Sequence, residues 1–325
     1  MTLSLSALDG GISVKNVILA IILATVVVVD VASAQRRGLT VSFGDSASIF
    51  NTFTFSPDGK RLYTSERIVS RMENGRPIFE TWGENRPKTS IFEYQIVNGE
   101  LTGRKEVEFA DGVHDFAPHM NFAGTRIYFN SRRPLADEAK TDGKLHSWYS
   151  EIQNSKWSRA KQVEGINLAG VHTAYVQELD EGSLVFQSDR AGSVAGRSGG
   201  PSLDLWITRR LNGRYLGPEN LRSINSEYDD GAFVVSKNGK LLIFTRVVER
   251  EMEVCVSVKK QGEWKPPRPL HLTNASGFVE QSPRLSPDGK IFCFAHNALI
   301  LEAPLRDLLN SEEAAAAGLS VKLSN

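Results

Sequence analysis

A tight polar turn that precedes an apolar segment recurs along this chain and constrains the fold more than any other feature. The clearest copies read Ser-Pro-Asp-Gly, at residues 56–59 and 286–289. The turn glycines stand at 59, 124, 182, 239 and 289, so successive copies are 65, 58, 57 and 50 residues apart. Self-similarity at a spacing of about 50 residues is typical of a repeat architecture.

A second marker lies between these turns. It is a polar two-residue turn, one spacer and a bulky apolar residue, and its copies begin at Asn98, Asn154, Asn212 and Gln261. Such dipeptides supply the positive φ angles of a two-residue hairpin. The two markers alternate, which predicts units of four antiparallel strands. Sheets of this kind repeated around an axis form a β-propeller.

The repeats predict an all-β fold: a single β-propeller of five four-stranded blades over residues 35–310, followed by a C-terminal tail at 311–325. The fifth unit lacks a fourth strand, whereas residues 39–43 alternate like a strand and have no unit of their own. We therefore expect this N-terminal strand to pair into the last blade, which removes exposed sheet edges. A degenerate sixth blade within residues 65–90 is the alternative.

Several repeat segments resemble those of TolB-like (WD40-like) β-propeller proteins. They are Ser-Pro-Asp-Gly-Lys before an apolar strand, Ser188-Asp189-Arg190 after one, and Ile-Asn-Ser-Glu-Tyr-Asp-Asp-Gly at residues 224–231. The resemblance covers roughly residues 45–303 and implies a propeller fold. The best-known member of that family is a periplasmic protein with an additional N-terminal α/β domain before six blades. The segment before the repeats is too short for that domain, so a role in that envelope system is not expected here.

Residues 1–34 have the pattern of a secretory signal peptide. Lys15 precedes an uncharged run of 13 apolar or small residues at 17–29, and Ala32-Ser33-Ala34 supplies the small residues of a cleavage site. A membrane span needs about 20 apolar residues. We expect cleavage before Gln35 and a periplasmic or secreted monomer with no stable membrane span; the alternative is an uncleaved N-terminal anchor.

The charge balance and the cysteine content exclude some classes of protein. The chain has 38 basic and 38 acidic residues, which argues against nucleic-acid binding because phosphate neutralisation needs an excess of Lys and Arg. Two cysteines, Cys255 and Cys293, cannot form a disulfide scaffold. Apolar residues flank both, so we expect two free thiols in the core.

Acidic residues recur nine positions before the turn glycines, as Asp115, Asp230 and Glu280. We expect the first strand of each blade to line the central channel, so these acids should surround one mouth of it. His114 and His119 flank Asp115. The candidate ligand-binding residues are therefore His114, Asp115, His119, His172, Asp229, Asp230 and Glu280.

Three chemical roles remain open for this set. Carboxylate and imidazole ligands suit a divalent metal, which is the candidate cofactor. Paired carboxylates also suit glycoside hydrolysis, in which case Asp115, Asp230 and Glu280 are the candidate catalytic residues. Alternatively, the acids are structural and bond groups of the neighbouring blade.

Arginines form a second set of candidates, and each follows the second strand of its blade. We expect these arginines to pair with acids of the adjacent blade or to bind carboxylated ligands. They are Arg67, Arg132 or Arg133, Arg190 and Arg246.

The chain lacks the His-Glu-x-x-His, phosphate-loop and dinucleotide-binding signatures. We therefore predict a non-catalytic binding or scaffold protein that takes a protein partner or a small polar molecule such as a glycan. The alternative is a glycan-active hydrolase or lyase with its carboxylates at the channel mouth.

Overall fold

The computed structural model describes residues 40–43, 50–73, 76–82, 86–110, 114–136, 140–249, 251–270, 272, 281–296 and 299–319. The predicted signal peptide and its cleavage site lie outside these residues. Within them the chain forms five antiparallel sheets of four or five strands each, and three two-stranded hairpins. Each of the five sheets is one blade of a propeller.

Blade 1 follows the N-terminal strand β1 (Thr40–Phe43). It contains β2 (Phe50–Phe55), β3 (Arg61–Arg67), β8 (Thr89–Val97) and β9 (Glu100–Glu106). Between β3 and β8 lie two hairpins, formed by β4 (Val69–Glu73) with β5 (Arg76–Phe79) and by β6 (Thr81–Trp82) with β7 (Arg86–Pro87). The stretch at 65–90 therefore extends blade 1 and does not form the sixth blade considered as an alternative.

Blades 2 and 3 repeat this order of strands. Blade 2 contains β10 (Phe116–Met120), β11 (Arg126–Ser131), β12 (His146–Gln153), β13 (Lys156–Trp157) and β14 (Lys161–Gln162). Blade 3 contains β15 (Thr173–Glu178), β16 (Leu184–Ser188), β17 (Asp204–Thr208) and β20 (Glu219–Asn220). A hairpin of β18 (Arg210–Leu211) and β19 (Arg214–Tyr215) precedes β20.

Blades 4 and 5 complete the ring. Blade 4 contains β21 (Asp229–Val235), β22 (Leu241–Val248), β23 (Glu251–Lys260), β24 (Glu263–Trp264) and β25 (Arg268–Pro269). Blade 5 contains β26 (Gln281–Leu285), β27 (Ile291–His296) and β28 (Leu299–Pro304). Its fourth strand is β1, with Val41 opposite Leu301, so the predicted closure by the N-terminal strand is confirmed. The first strands β2, β10, β15, β21 and β26 contact one another in sequence, and β26 contacts β2.

Both sequence markers form the turns that they predict. The four hairpin dipeptides have positive φ at both residues, for example 52° at Asn98 and 81° at Gly99. In the Ser-Pro-Asp-Gly turn, the Ser56 hydroxyl donates to the Asp58 carboxylate at 2.5 Å, and that oxygen also accepts from the Lys60 amide at 3.1 Å. The equivalent contacts recur in the turns of blades 4 and 5. These polar residues therefore hold the turns.

The hydrophobic core lies between adjacent blades and not within one blade. One cluster joins Phe244 and Cys255 of blade 4 to Val185 and Leu205 of blade 3. Another joins Phe53 of blade 1 to Cys293 and other residues of blade 5. Both cysteines are buried free thiols, as the sequence predicts.

The segment after blade 5 forms two short helices, α1 (Leu305–Leu308) and α2 (Ser311–Ala316). A capping box at Asn310 and Glu313 begins α2. Glu313 is buried against Arg268 of blade 4, and Ala314 is fully buried. Residues 311–319, which the sequence assigns to a tail, thus pack on the propeller. None of the helices in the described part of the chain is long and apolar enough to cross a membrane.

Candidate functional site

The first strands of the five blades line the central channel, and each has a register shift at an equivalent position, seven or eight residues before its turn glycine. In three blades the bulged residue has positive φ: Ala117 at 53°, Tyr175 at 52° and Ser282 at 57°. The bulge turns the backbone toward the neighbouring blade. The Ala117 amide donates to the Thr52 hydroxyl at 2.9 Å, and the Tyr175 amide donates to the Asn130 side chain at 2.9 Å.

Asp115 directly precedes β10 and is fully buried. Its Oδ2 lies 2.8 Å from Nη2 of Arg133, which follows β11 of the same blade. Arg133 also donates to the Phe109 carbonyl at 3.4 Å, and its guanidinium lies 5.1 Å from the centre of the Trp148 ring. The ion pair therefore ties the loop before blade 2 to its second strand.

Asp230 repeats this arrangement in blade 4. Its Oδ1 lies 2.7 Å from Arg246 Nε, and its Oδ2 accepts from the Ser226 amide at 2.9 Å. Arg246 also donates to the Ile224 carbonyl at 2.7 Å. Burial raises the pKa of Asp230 to about 6, although Arg246 and Ser226 act in the opposite direction.

Blade 3 shows that this arginine contact does not require an acid. Arg190 donates from Nη2 to the Ile166 carbonyl at 2.5 Å and to the Thr173 hydroxyl at 3.4 Å, so a threonine stands where blades 2 and 4 have aspartate. In blades 2 to 4 an arginine within or just after the second strand thus bonds a carbonyl of the loop before the first strand. The pairing lies within one blade, and the expected pairing with adjacent blades is wrong for Arg133 and Arg246.

Of the remaining candidates at this end of the channel, His114 bonds the first residue of β8 in blade 1, whereas His172 and Asp229 bond loops. His114 Nδ1 lies 3.0 Å from the Thr89 hydroxyl. His172 Nδ1 accepts from the Leu145 amide at 3.1 Å, and burial lowers the pKa of this half-buried histidine. Asp229 is exposed and accepts from the Leu203 amide at 2.9 Å.

Glu280 lies outside the described residues, so the structure leaves the predicted group of three acids incomplete. Among the residues that are described, no three His, Cys, Asp or Glu side chains are placed to share one metal ion. The divalent metal stays a prediction.

A cavity of about 460 Å³ opens at the opposite end of the channel, among the turns that join first and second strands. Turn residues of all five blades surround its mouth, including Asp288, Pro57, Phe122, Asp180 and Lys237. Leu305 and Ala317 of the C-terminal segment also line it. We call this space the turn-side cavity. Of the predicted site residues that the structure describes, only His119 lines it.

One residue from each blade lies at the inner end of the turn-side cavity. These residues stand five positions before the five turn glycines, and they are Thr54, His119, Gln177, Val234 and Arg284. Gln177 is fixed by two bonds to blade 4: its amide donates to the Val235 carbonyl at 2.8 Å and its oxygen accepts from the Val235 amide at 2.7 Å.

Arg284 joins four blades at this level. Its side chain is only 4% exposed and donates to backbone carbonyls of Phe53 from Nε at 2.8 Å, Pro283 from Nη1 at 2.8 Å, Phe233 from Nη1 at 3.3 Å and Pro118 from Nη2 at 3.2 Å. Burial lowers its pKa to about 10. The guanidinium is therefore still charged at neutral pH.

His119 is 8% exposed and faces the same cavity. Burial and the positive charge of Arg284 hold the pKa of His119 well below its usual range, so its imidazole is neutral at pH 7. Arg284 also interacts electrostatically with the hydroxyl of Tyr175, whose pKa is raised by burial. The inner end of the turn-side cavity thus combines one charged donor with one neutral imidazole.

Arg284, Gln177 and Thr54 are not among the residues predicted from the sequence, because that prediction rests on the positions nine residues before each turn glycine. The same alignment with an offset of five positions would have found all three. The sequence signal was a position in the first strand of each repeat that carries Arg in one repeat and Thr, His and Gln in three others.

No family model matches the sequence, and no curated protein matches it significantly.

Solved propeller structures resemble this fold. A putative TolB from Agrobacterium tumefaciens matches with a TM-score of 0.45 and 15% identity, covering 84% of this chain and 96% of that one. A gluconolactonase from Xanthomonas campestris matches with 0.47 and 8%, covering 82% and 88%. A puromycin-hydrolyzing peptidase from Mycobacterium tuberculosis matches with 0.44 and 13%; the match covers 80% of this chain but only 35% of the peptidase. The propeller fold that the TolB-like repeats imply is confirmed by the five blades of the structure. The three structural matches, all with TM-scores below 0.5, carry no conclusion about function.

Proposed function

We propose that this chain is an exported, non-catalytic propeller that binds a small polar ligand in the turn-side cavity. The observation that carries the proposal is the construction of the cavity's inner end, to which every blade contributes one side chain. Small-molecule sites have volumes of roughly 300–1,000 Å³ and a few placed polar groups. The turn-side cavity, at about 460 Å³ with Arg284, His119 and Gln177 inside, fits that description.

The placement of the acids favours binding over glycan hydrolysis. Glycosidases need two carboxyl groups roughly 5–9.5 Å apart on either side of the sugar. Asp115 and Asp230 each hold an arginine of their own blade and do not line the turn-side cavity. A glycan-active hydrolase or lyase that uses these residues with Glu280 stays a prediction, as does a protein partner.

A formal nucleophile motif also fails to support catalysis. Residues 196–200 read Gly-Arg-Ser-Gly-Gly, which matches the Gly-x-Ser-x-Gly pattern. That pattern has meaning on a sharp turn from a strand into a helix. Here it lies in the loop between β16 and β17, where Gly196 and Gly200 bond each other at 2.8 Å and Ser198 is exposed.

Thermal shift measurements with a panel of polar small molecules test the proposal. Compounds that stabilise the wild-type protein are then titrated against Lys237→Trp and Lys240→Trp. Both lysines are exposed in the same turn, but only Lys237 lines the turn-side cavity. We expect Lys237→Trp to weaken binding and Lys240→Trp to leave it unchanged. Equal effects of the two variants, or no stabilising compound, would contradict the proposal.

Export rests on the pattern of residues 1–34 and has its own test. The N-terminus of the protein recovered from the periplasm or medium of an expressing cell is sequenced. We expect it to begin at Gln35. Recovery of protein that begins at Met1, in the membrane fraction, would instead support the uncleaved anchor.

A further inference from the structure

The inner end of the turn-side cavity contains a buried positive charge that no acid of the described chain offsets. The four contacts of Arg284 are to backbone carbonyls, and no described carboxylate forms an ion pair with it. By contrast, Arg133 and Arg246, which are only partly buried, each bond an aspartate. A charge in a low-dielectric interior is costly unless it is paired, so an anion that reaches Arg284 gains strongly.

The guanidinium retains a donor for such an anion. It has five N–H hydrogens, and the four carbonyl contacts use four of them. The remaining hydrogen is on Nη2, and Arg284 lines the turn-side cavity. Hydrogen bonds between an arginine and an oxyanion are roughly twice as strong as those between neutral groups.

His119 provides a second, independent observation. It is more than nine-tenths buried and lines the cavity, and no described residue gives its imidazole a hydrogen bond. A neutral imidazole has one N–H donor and one acceptor. An imidazole that lines a cavity without a protein partner is available to a water, an ion or a ligand there.

The acids that line the turn-side cavity stand at its mouth and not at its inner end. Asp180 and Asp288 both belong to the turns, and Asp288 is already bonded to Ser286 and lies 3.4 Å from Lys290. Lys237 stands beside them in the turn of blade 4. The inner end therefore selects a negative group, while the mouth can accept hydroxyl or amino groups of the same ligand.

We propose that the turn-side cavity recognises an oxyanion, a carboxylate or an inorganic or esterified anion of similar shape, that pairs with Arg284 and bonds the His119 ring. This inference deepens the proposed function and rests on it. The remainder of the ligand lies toward the turns.

A matched pair of sugars separates this inference from the proposed function. Glucuronate and glucose differ by a carboxylate, and sulfate provides the anion without a sugar. By calorimetric titration of the full chain, we expect glucuronate and sulfate to bind and glucose to bind at least tenfold more weakly. Equal binding of glucose and glucuronate would overturn the anion inference and leave the proposed function standing. Absence of binding by both glucuronate and sulfate would also overturn it.

Variants then locate the anion. Arg284→Gln should weaken glucuronate binding tenfold or more, whereas Arg190→Gln removes an equally buried arginine that does not line the cavity and should leave binding unchanged. Unfolding temperatures verify that both variants are folded. Equal affinities for the two variants would overturn the assignment to Arg284.

A measurement on the wild-type protein does not depend on the folding of any variant. The pKa of His119 is followed by NMR in chloride and in sulfate at equal ionic strength. Burial and the charge of Arg284 lower the pKa of this ring, and Tyr175, which interacts with Arg284, remains neutral. A sulfate ion beside Arg284 offsets that charge, so we expect the pKa of His119 to rise by about one unit or more. The same pKa in both salts would overturn the inference.

Discussion

Val41 of the N-terminal strand β1 lies opposite Leu301 of β28, so segments from the two ends of the described chain share one blade. Without β1, blade 5 would have three strands and an open edge on β28. Unpaired edges expose backbone groups that pair with other chains. The N-terminal strand therefore affects both the stability and the solubility of the whole ring.

A chain that begins at residue 44 should be clearly less stable than one that begins at Gln35. It loses three residue pairs between β1 and β28, for which we expect about 2–4 kcal/mol at roughly 1 kcal/mol per hydrogen bond. Urea denaturation measures the difference, and light scattering should show association of the shorter chain. Equal midpoints for the two chains would mean that β1 does not close the ring.

Arg246→Met should destabilise the protein by about 3–5 kcal/mol at neutral pH, because it leaves Asp230 buried without its partner. The loss should be smaller at pH 5, since Asp230, whose pKa is raised to about 6, is then largely protonated in both proteins. The control is Arg209→Met, whose pair with Glu219 is 2.9 Å long but more than half exposed. Surface pairs contribute roughly 0–1 kcal/mol. Similar losses of unfolding free energy in the two variants would show that the buried pair of Asp230 does not stabilise the protein more than an exposed pair does.

His119 should make the stability of the protein depend on pH. Its folded pKa is well below the value of about 6.5 in the unfolded chain, so only the unfolded state binds this proton as the pH falls below 6.5. The contribution of neutral His119 to the free energy of unfolding is therefore fully present above pH 6.5. Below that pH it is lost, by at most about 1.4 kcal/mol per pH unit. Asp230, whose pKa is raised, acts in the opposite direction below about pH 6.

The comparison of variants isolates this contribution. Free energies of unfolding are measured between pH 7.5 and 5.5 for the wild type, His119→Asn and His172→Asn. We expect the first variant to remove most of the decline and the second to remove less, since His172 is only half-buried. An unchanged decline in His119→Asn would exclude the neutral, buried state of this ring.

Gly99→Ala should cost about 1 kcal/mol, whereas Gly217→Ala should change stability little. A Cβ at either glycine would meet no atom within 4 Å, so neither replacement is hindered by packing. Only Gly99 has a positive φ, at 81°, where a side chain strains the backbone. Thermal unfolding of the two variants measures the difference, and equal effects would show that the hairpin does not need this angle.

Cys255 and Cys293 should react with a thiol reagent only after unfolding. Both are buried, and burial raises the pKa of Cys255 to about 12, so the reactive thiolate is scarce. We expect no rapid labelling of the native protein and two labels per chain in denaturant. A denatured chain that takes no label before reduction would instead indicate a disulfide.

Much of the fold could be predicted because turn chemistry is local. Asn98-Gly99 and its equivalents adopt positive φ for reasons contained in the dipeptide, and Ser56 and Asp58 bond each other within one turn. Alternation of these two turns is enough to give four-stranded units. The hairpins between β3 and β8 were less predictable, because their exposed strand β4 has no apolar face to signal its pairing.

The site was harder to predict because bulges break the alternation of the first strands. At Ala117 and Tyr175 the positive φ changes which side chains face the channel. The acids Asp115 and Asp230 could be found from their spacing, but their partners Arg133 and Arg246 come from another strand. An aspartate that binds a ligand and an aspartate that fixes a loop through an arginine stand at the same position in the repeat, so the sequence does not distinguish them.

The planar guanidinium of Arg284 has a further consequence for how the molecule moves. Its donors have fixed mutual angles, and they reach carbonyls of Phe53, Pro118, Phe233 and Pro283 together. Any widening of the ring must stretch several of these bonds at once. One side chain thereby couples four blades, so a ligand that displaces the Arg284 guanidinium would shift the innermost strands of blades 1, 2, 4 and 5 together.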